Sequence, residues 1–168
     1  KTLPSLDAHA HLDPSRTAPE LASSGAVLAM TLFKEAALAV DRHDPYIVWG
    51  VGCHPRKRIA QDAFDSDRFS ELVAQTAIVG EVGLDSGSHI PLELHVESDH
   101  GYADPPAAIP CRVEWVEYLV AQQLKLGVKD LRLLAWQNFS TIVRRTGTGE
   151  LLPDPLAAIL AEVSRASK

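Results

Sequence analysis

The sequence predicts an α/β fold, with a parallel β-sheet and helices packed outside it. In the first half of the chain, apolar segments of strand length alternate with short helical segments, an order typical of parallel strands. The strands are nearly continuous apolar runs, as expected where both faces of a sheet are buried. The predicted strands are residues 5–11, 26–33, 46–52 and 77–83, and the helices between them are residues 19–24, 34–41 and 67–75.

Local signals support these elements in order. Asp13 and Pro14 form a turn after the first strand and lead into the first helix. The second strand is an uninterrupted apolar run, and the third is rich in β-branched and aromatic residues. The second half reads as three helices, at residues 112–124, 128–143 and 155–166. Gly127 is expected to end the first of these as its C-cap, and residues 146–149 form a connector.

Length and composition indicate one domain, residues 1–168, because a chain of this size buries one core. The formal net charge of −6 argues against a broadly basic surface that coats nucleic acid. The negative charge does not exclude a nuclease, because bound divalent cations supply positive charge where phosphates lie. No apolar run reaches the roughly 18 residues of a membrane span, and the start lacks a signal-peptide core. With only Cys53 and Cys111, a reducing cytoplasm is expected.

His9 and His11 close the first predicted strand. Residues two apart on a strand face the same side, so the two imidazoles are expected to point together and grip one metal ion. Two surface histidines in a polar turn would produce the same pattern. Their place after an apolar lead-in, at the end of a strand, favours the ligand pair.

Two carboxylates extend this set. Glu81 interrupts the fourth apolar strand, where a carboxylate is costly unless it is paired, protonated or bound to metal. Asp99 ends a further short strand-like segment and is followed by a turn-rich loop. A buried Glu paired with Arg or Lys and a turn or N-cap Asp are the structural alternatives.

His54 follows the third strand and precedes Pro55. It is placed on the same rim as the other motifs, as a ligand or as a donor to a substrate phosphate. The basic run Arg56, Lys57 and Arg58 comes directly afterwards and can meet further phosphates. A solvated basic turn is the alternative.

Together these residues lie at the carboxyl ends of several strands, where barrel enzymes place their chemistry. Histidine mixed with carboxylate suits zinc, manganese or magnesium, and a carboxylate can bridge two ions. Hydrolysis by metal-activated water follows from such a centre, with Asp99 orienting or deprotonating the water.

The motifs resemble those of the TatD-like metal-dependent deoxyribonucleases. Four motifs in family order carry the resemblance: Leu-Asp-Ala-His-Ala-His-Leu (6–12), Gly-Cys-His-Pro (52–55), Gly-Glu-Val-Gly-Leu-Asp (80–85) and Glu-Ser-Asp (97–99). The segment at residues 134–139 also resembles the family's closing helix, which carries an Asn.

The resemblance implies a TIM-type (β/α)₈ barrel with two divalent metal ions (Mg, Mn or Zn) that cleaves phosphodiester bonds in DNA, as a monomer. By carry-over, His9 and His11 bind one ion and Glu81 bridges the pair. Asp99 is a ligand and the catalytic base, and His54 contacts the scissile phosphate. Asp85 and Asn138 are structural in this scheme.

One departure from the family is large. The family carries two more ligand histidines between its third and fourth motifs, whereas 13 residues separate Asp85 from Asp99 here. A full barrel takes about 250 residues, so strands 5–7 are absent and a break is predicted between Leu94 and His95. Residues 1–94 would then hold strands 1–4, and residues 95–168 the last strand and the C-terminal helices. Three explanations would account for the missing strands. The sequence omits residues, it carries an internal deletion, or it is a natural short form completed by a partner chain. No ligand role passes to His89, His95 or His100.

Three functions are compatible with these motifs. The first is a metal-dependent nuclease acting on DNA ends or single strands. The second is a metallohydrolase for another ester or amide, since one fold hosts many chemistries. The third is an inactive barrel remnant that serves as a binding module. The basic run at residues 56–58 favours DNA.

Overall fold

The computed structural model describes residues 2–54, 57–80 and 113–166. Its centre is a parallel sheet of three strands in the order β1-β2-β3. The strands are β1 (Leu6–His11), β2 (Ala26–Met30) and β3 (Ile47–Trp49). The first three predicted strands are therefore confirmed, although β2 and β3 end earlier than their apolar runs do.

The strand predicted at residues 77–83 begins where expected. Val79 forms a parallel bridge with Val51, and the Gly80 N–H donates to the Val51 carbonyl at 2.8 Å. Gly50 lies very close to the backbone of β2, because a Cβ at this position would stand 3.0 Å from the Ala29 carbonyl oxygen. Residues 81–83 lie outside the described part of the chain.

Short helices connect the strands, and local polar groups fix where they begin. They are α1 (Ala18–Leu21), α2 (Ala36–Val40), α3 (Arg58–Asp62) and α4 (Ser66–Val73), with 3₁₀ turns at Ala22–Ser24 and Phe33–Glu35. At α1, Glu20 accepts hydrogen bonds from the Thr17 N–H and hydroxyl, both at 2.8 Å. At α4, Asp65 accepts from the Arg68 N–H at 2.7 Å. The sequence did not predict α3, whose five residues are too few to show a period.

The two faces of the sheet bury different side chains. One face, here called the α6–α7 face, carries the apolar side chains that pack against the C-terminal helices: Leu6, Ala26, Leu28, Met30 and Val48. The other, the α1–α2 face, carries those that pack near the first two helices: Ala10, Val27, Ala29, Ile47 and Trp49. Burial on both faces explains why the strands are apolar throughout.

The C-terminal part is helical, as predicted: α5 (Val113–Leu124), α6 (Val128–Thr146) and α7 (Asp154–Ala166), with a 3₁₀ turn at Gly149–Leu151. The role predicted for Gly127 is wrong. Lys125 takes the left-handed conformation that ends α5, at φ 57°, and the Leu126 N–H returns to the Ala121 carbonyl. Gly127 is instead extended, at φ −70°, and is the N-cap residue of α6.

The helical part packs directly on the start of the sheet. Trp136 of α6 is fully buried, and its indole N–H donates to the Pro4 carbonyl at 2.8 Å. No helix in the described ranges is long and apolar enough to cross a bilayer. The complete barrel stays a prediction. The break predicted between Leu94 and His95 lies outside the described residues.

Candidate metal centre

The end of β1 brings two imidazoles together. The Nε2 atoms of His9 and His11 are 3.2 Å apart, and their rings meet edge to face with centroids 5.1 Å apart. His11 is buried, whereas His9 is half-buried. The pairing expected from the His-x-His spacing is therefore present in the structure.

This separation fits two ligands of a single ion. Two nitrogens that each lie about 2.0–2.1 Å from a tetrahedral zinc are about 3.3 Å apart. The observed 3.2 Å between the Nε2 atoms of His9 and His11 is close to that value. The same distance allows one imidazole to donate a hydrogen bond to the other, so the pair is compatible with a metal-free state as well.

His54 lies beside this pair. Its side chain is buried, with 4% of its surface exposed, and its ring centroid is 6.0 Å from that of His11. His54 follows three residues after Val51, which lies just beyond β3 and forms a parallel bridge with Val79. The structure therefore places the ring of His54 close to that of His11, while its predicted role as a ligand or a phosphate donor stays a prediction.

The basic run begins at the same corner. The Lys57 N–H donates to the His54 carbonyl at 3.2 Å, which ties the start of α3 to the histidine. Lys57 precedes α3 and is half-buried, and Arg58 is the first residue of that helix. Arg56 lies outside the described residues. Lys57 and Arg58 therefore follow His54 within about one turn of backbone.

The predicted carboxylates fall outside the described part of the chain. This holds for Glu81 and Asp99, and for the residues to which no ligand role was given: Asp85, His89, His95 and His100. Gly80, which precedes Glu81, is described. A Cβ on Gly80 would stand 3.4 Å from the Met30 sulfur and 3.5 Å from the Gly52 N, which are ordinary van der Waals distances. Asn138 lies on α6 and is half-buried.

Within residues 2–54, 57–80 and 113–166, no group of three or more His, Cys, Asp and Glu side chains converges as a metal site would. His9 and His11 supply two ligands, and the remaining positions require others, for which Glu81 and Asp99 are the candidates. Burial raises the pKa of the Cys53 thiol, next to His54, so the thiol form prevails at neutral pH.

A cavity of about 610 Å³ lies elsewhere in the molecule, between β3 and the start of α7. Its lining residues include Trp49, Thr76 and Pro155. None of the three histidines of the candidate centre lines it. Cavity size therefore does not mark the candidate centre.

One buried side chain beside the histidines has a contact that the motifs did not predict. Asp7 has no exposed surface, and its Oδ1 accepts from the His9 N–H at 3.2 Å. The sequence does contain a signal for this contact. Asp7 is a carboxylate within a strand otherwise filled by apolar and histidine residues, and burying a carboxylate is costly without specific partners.

No protein-family model matches this sequence, and no curated protein or solved structure matches it either. The TatD-like resemblance therefore rests on the four motifs and the segment at residues 134–139. The candidate centre rests on those motifs and on the arrangement of His9, His11 and His54.

Proposed function

We propose that this protein is a divalent-metal-dependent hydrolase that cleaves phosphodiester bonds, with DNA as its substrate. The observation that carries the proposal is the convergence of the His9 and His11 Nε2 atoms, 3.2 Å apart, at the carboxyl end of a parallel strand. Active sites of parallel α/β enzymes lie at that end of the strands.

In this scheme His9 and His11 hold one of two ions (Mg, Mn or Zn). Glu81 would help to hold both ions, and Asp99 would be a further ligand and the proton acceptor for the attacking water. Bound divalent ions lower the pKa of that water and stabilise charge on the phosphate oxygens. Glu81 and Asp99 enter from the family resemblance.

His54 supports a phosphate substrate. Its buried ring lies 6.0 Å from that of His11, near enough to donate to an oxygen of a phosphate held at the ions. Lys57 and Arg58 follow within one turn, with Arg56 between them and His54 in sequence. The net charge of −6 already counts these cations, and they supply local positive charge directly after His54 in the sequence, which favours the approach of a polyanion.

A hydrolase for another ester or amide is the second candidate, since the His9–His11 pair does not depend on the bond that is cleaved. A binding module without activity is the third. We also propose a cytoplasmic location, supported by the low cysteine content, and a monomeric state, which follows only from the family resemblance.

Metal binding and cleavage can be tested in parallel. The full-length chain, stripped with a chelator, is titrated with Mn²⁺ in a calorimeter and then incubated with labelled single-stranded DNA. We expect binding of about two ions and DNA cleavage that requires the metal. His9→Gln, His11→Gln, Glu81→Ala and Asp99→Ala are expected to lower cleavage at least about 100-fold.

The control is His43→Gln, because His43 is exposed and lies just before β3 rather than at its carboxyl end. It should leave both metal binding and cleavage unchanged. Metal binding without DNA cleavage would favour the second candidate, and a chain that binds no metal would favour the third. Cleavage that survives both Glu81→Ala and Asp99→Ala would contradict the proposed centre.

A further inference from the structure

We propose that Asp7 is a positioning residue for the candidate metal centre, whose carboxylate holds the bulge in β1 that aims His9 and His11. The inference rests on the proposed metal-dependent function, and it concerns how the chain orients its own ligands.

The register of the sheet reveals the bulge. Asp7 pairs with Val27, but the next pair is Ala10 with Ala29, so three steps on β1 match two steps on β2. Ala8 and His9 therefore both lie opposite the single residue Leu28. An extra residue of this kind bends a strand and redirects the side chains that follow it.

The extra residue changes which face of the sheet the histidines occupy. Partners in a parallel pair point to the same face, so Asp7 shares the α1–α2 face with Val27. Without the bulge, strict alternation would place His9 and His11 on that face too. Instead His11 pairs with Met30, which belongs to the α6–α7 face.

Asp7 contacts the backbone at the bulge itself. Its Oδ1 accepts from the N–H of His9, two residues later, at 3.2 Å. A carboxylate that bonds the backbone two residues on stabilises a local turn in place of the regular ladder. The side chain is fully buried, so this hydrogen bond is shielded from water.

An ordinary buried aspartate provides the comparison. Asp44 is also buried and pairs with Arg42 at 2.6 Å and with the Trp49 indole at 2.9 Å. It lies before β3, at the opposite end of the sheet from the histidines. Asp44 is therefore a matched control for a role in stability without a role in ligand orientation.

The test measures Co²⁺ binding from the visible absorption of the bound ion and, separately, hydrogen exchange at the His9 amide without metal. Asp7→Val removes the acceptor and retains a strand-forming residue suited to an apolar face, whereas Asp7→Asn retains an acceptor oxygen. We expect Asp7→Val to weaken Co²⁺ binding about 10- to 100-fold, as loss of groups that orient metal ligands does. Asp7→Asn should restore binding to within about threefold of the unmodified protein, a factor that corresponds to less than about 1 kcal/mol.

The exchange measurement separates this inference from the proposed function. Faster exchange at His9 in Asp7→Val, with protection kept in Asp7→Asn and in the control Asp44→Asn, supports the bulge contact. Unchanged Co²⁺ affinity in folded Asp7→Val overturns the positioning role. If that variant does not fold, Asp7→Ala is measured by the same two criteria. An unmodified protein that binds no Co²⁺ overturns the metal centre, while the His9 exchange still decides whether Asp7 holds the bulge.

Discussion

Arg132 of α6 donates through Nε to one carboxylate oxygen of Glu117 on α5 at 2.9 Å, and its Nη2 forms an ion pair with the same oxygen at 2.8 Å. Ser5, just before β1, donates to the same oxygen at 2.9 Å. Glu117 is 1% exposed, so the three groups form a buried polar link between two C-terminal helices and the first strand. This link helps to hold the helical part of the chain against the end of β1 that lies away from the histidines.

Arg132→Met is expected to lower the free energy of unfolding by about 3 kcal/mol, because it leaves the Glu117 carboxylate buried without its cation. Urea unfolding followed by circular dichroism measures the change. The control is Arg68→Met, which breaks the exposed ion pair of Arg68 with Glu71 and should cost less than about 1 kcal/mol. Equal losses in the two variants would contradict the buried link.

Asp44 is expected to stabilise the fold in a pH-dependent way. Burial acts to raise its pKa, but hydrogen bonds from Arg42 and Trp49, with the charge of Arg42, together hold the pKa of Asp44 below its usual value of 3.8. A lowered folded-state pKa gives stability that is present above pH 3.8 and lost as the pH falls through the folded value.

The measurement compares the unmodified protein with Asp44→Asn in urea between pH 7 and pH 3. We expect the variant to be less stable at pH 7 by about 1–3 kcal/mol, the range for a hydrogen bond to a charged group. The difference should shrink below pH 3.8. A stability difference between the two proteins that grows on acidification would contradict a lowered folded-state pKa of Asp44.

Gly50→Ala is expected to destabilise the sheet by about 1–3 kcal/mol, the usual cost of overpacking. The added Cβ would stand 3.0 Å from the Ala29 carbonyl oxygen and 3.1 Å from Ile78, at a point where the Gly50 N–H donates to that carbonyl. Gly149→Ala is the control, since its Cβ would meet Val143 at an ordinary 3.6 Å. Thermal unfolding of both variants decides the matter, and comparable melting temperatures would refute the steric argument.

Lys125→Gly is expected to raise the free energy of unfolding by about 0.5–1 kcal/mol, because Lys125 ends α5 at φ 57°, where glycine carries no steric penalty. Gln122→Gly, at an exposed position within α5, should lower it by a similar amount. Chemical unfolding of the pair provides the test. Destabilisation by both substitutions would mean that Lys125 gains more from its side chain than it loses in backbone strain.

Much of the fold follows from patterns within single segments. The first three strands and the helices of the second half were predicted because apolar runs and helical spacing are local signals. The start of α5 is one residue from its prediction, and α6 continues three residues beyond its own. The predicted end of α5 at residue 124 agrees with the structure, but the predicted capping residue does not. Glycine is only the preferred residue in a left-handed position, and here Lys125 occupies that position while Gly127 is the N-cap of α6.

The sequence by itself determined the residue types of the candidate site and their order along the chain: His9 and His11 at the end of one strand, and His54 after another. Only the tertiary structure decided that a register shift after Asp7 pairs His11 with Met30 of the α6–α7 face, and that the ring centroids of His54 and His11 lie 6.0 Å apart. Strand parity is a local property, and it predicts that His9 and His11 point together. The face they occupy depends on the register with β2, which is set by contacts between segments far apart in the chain.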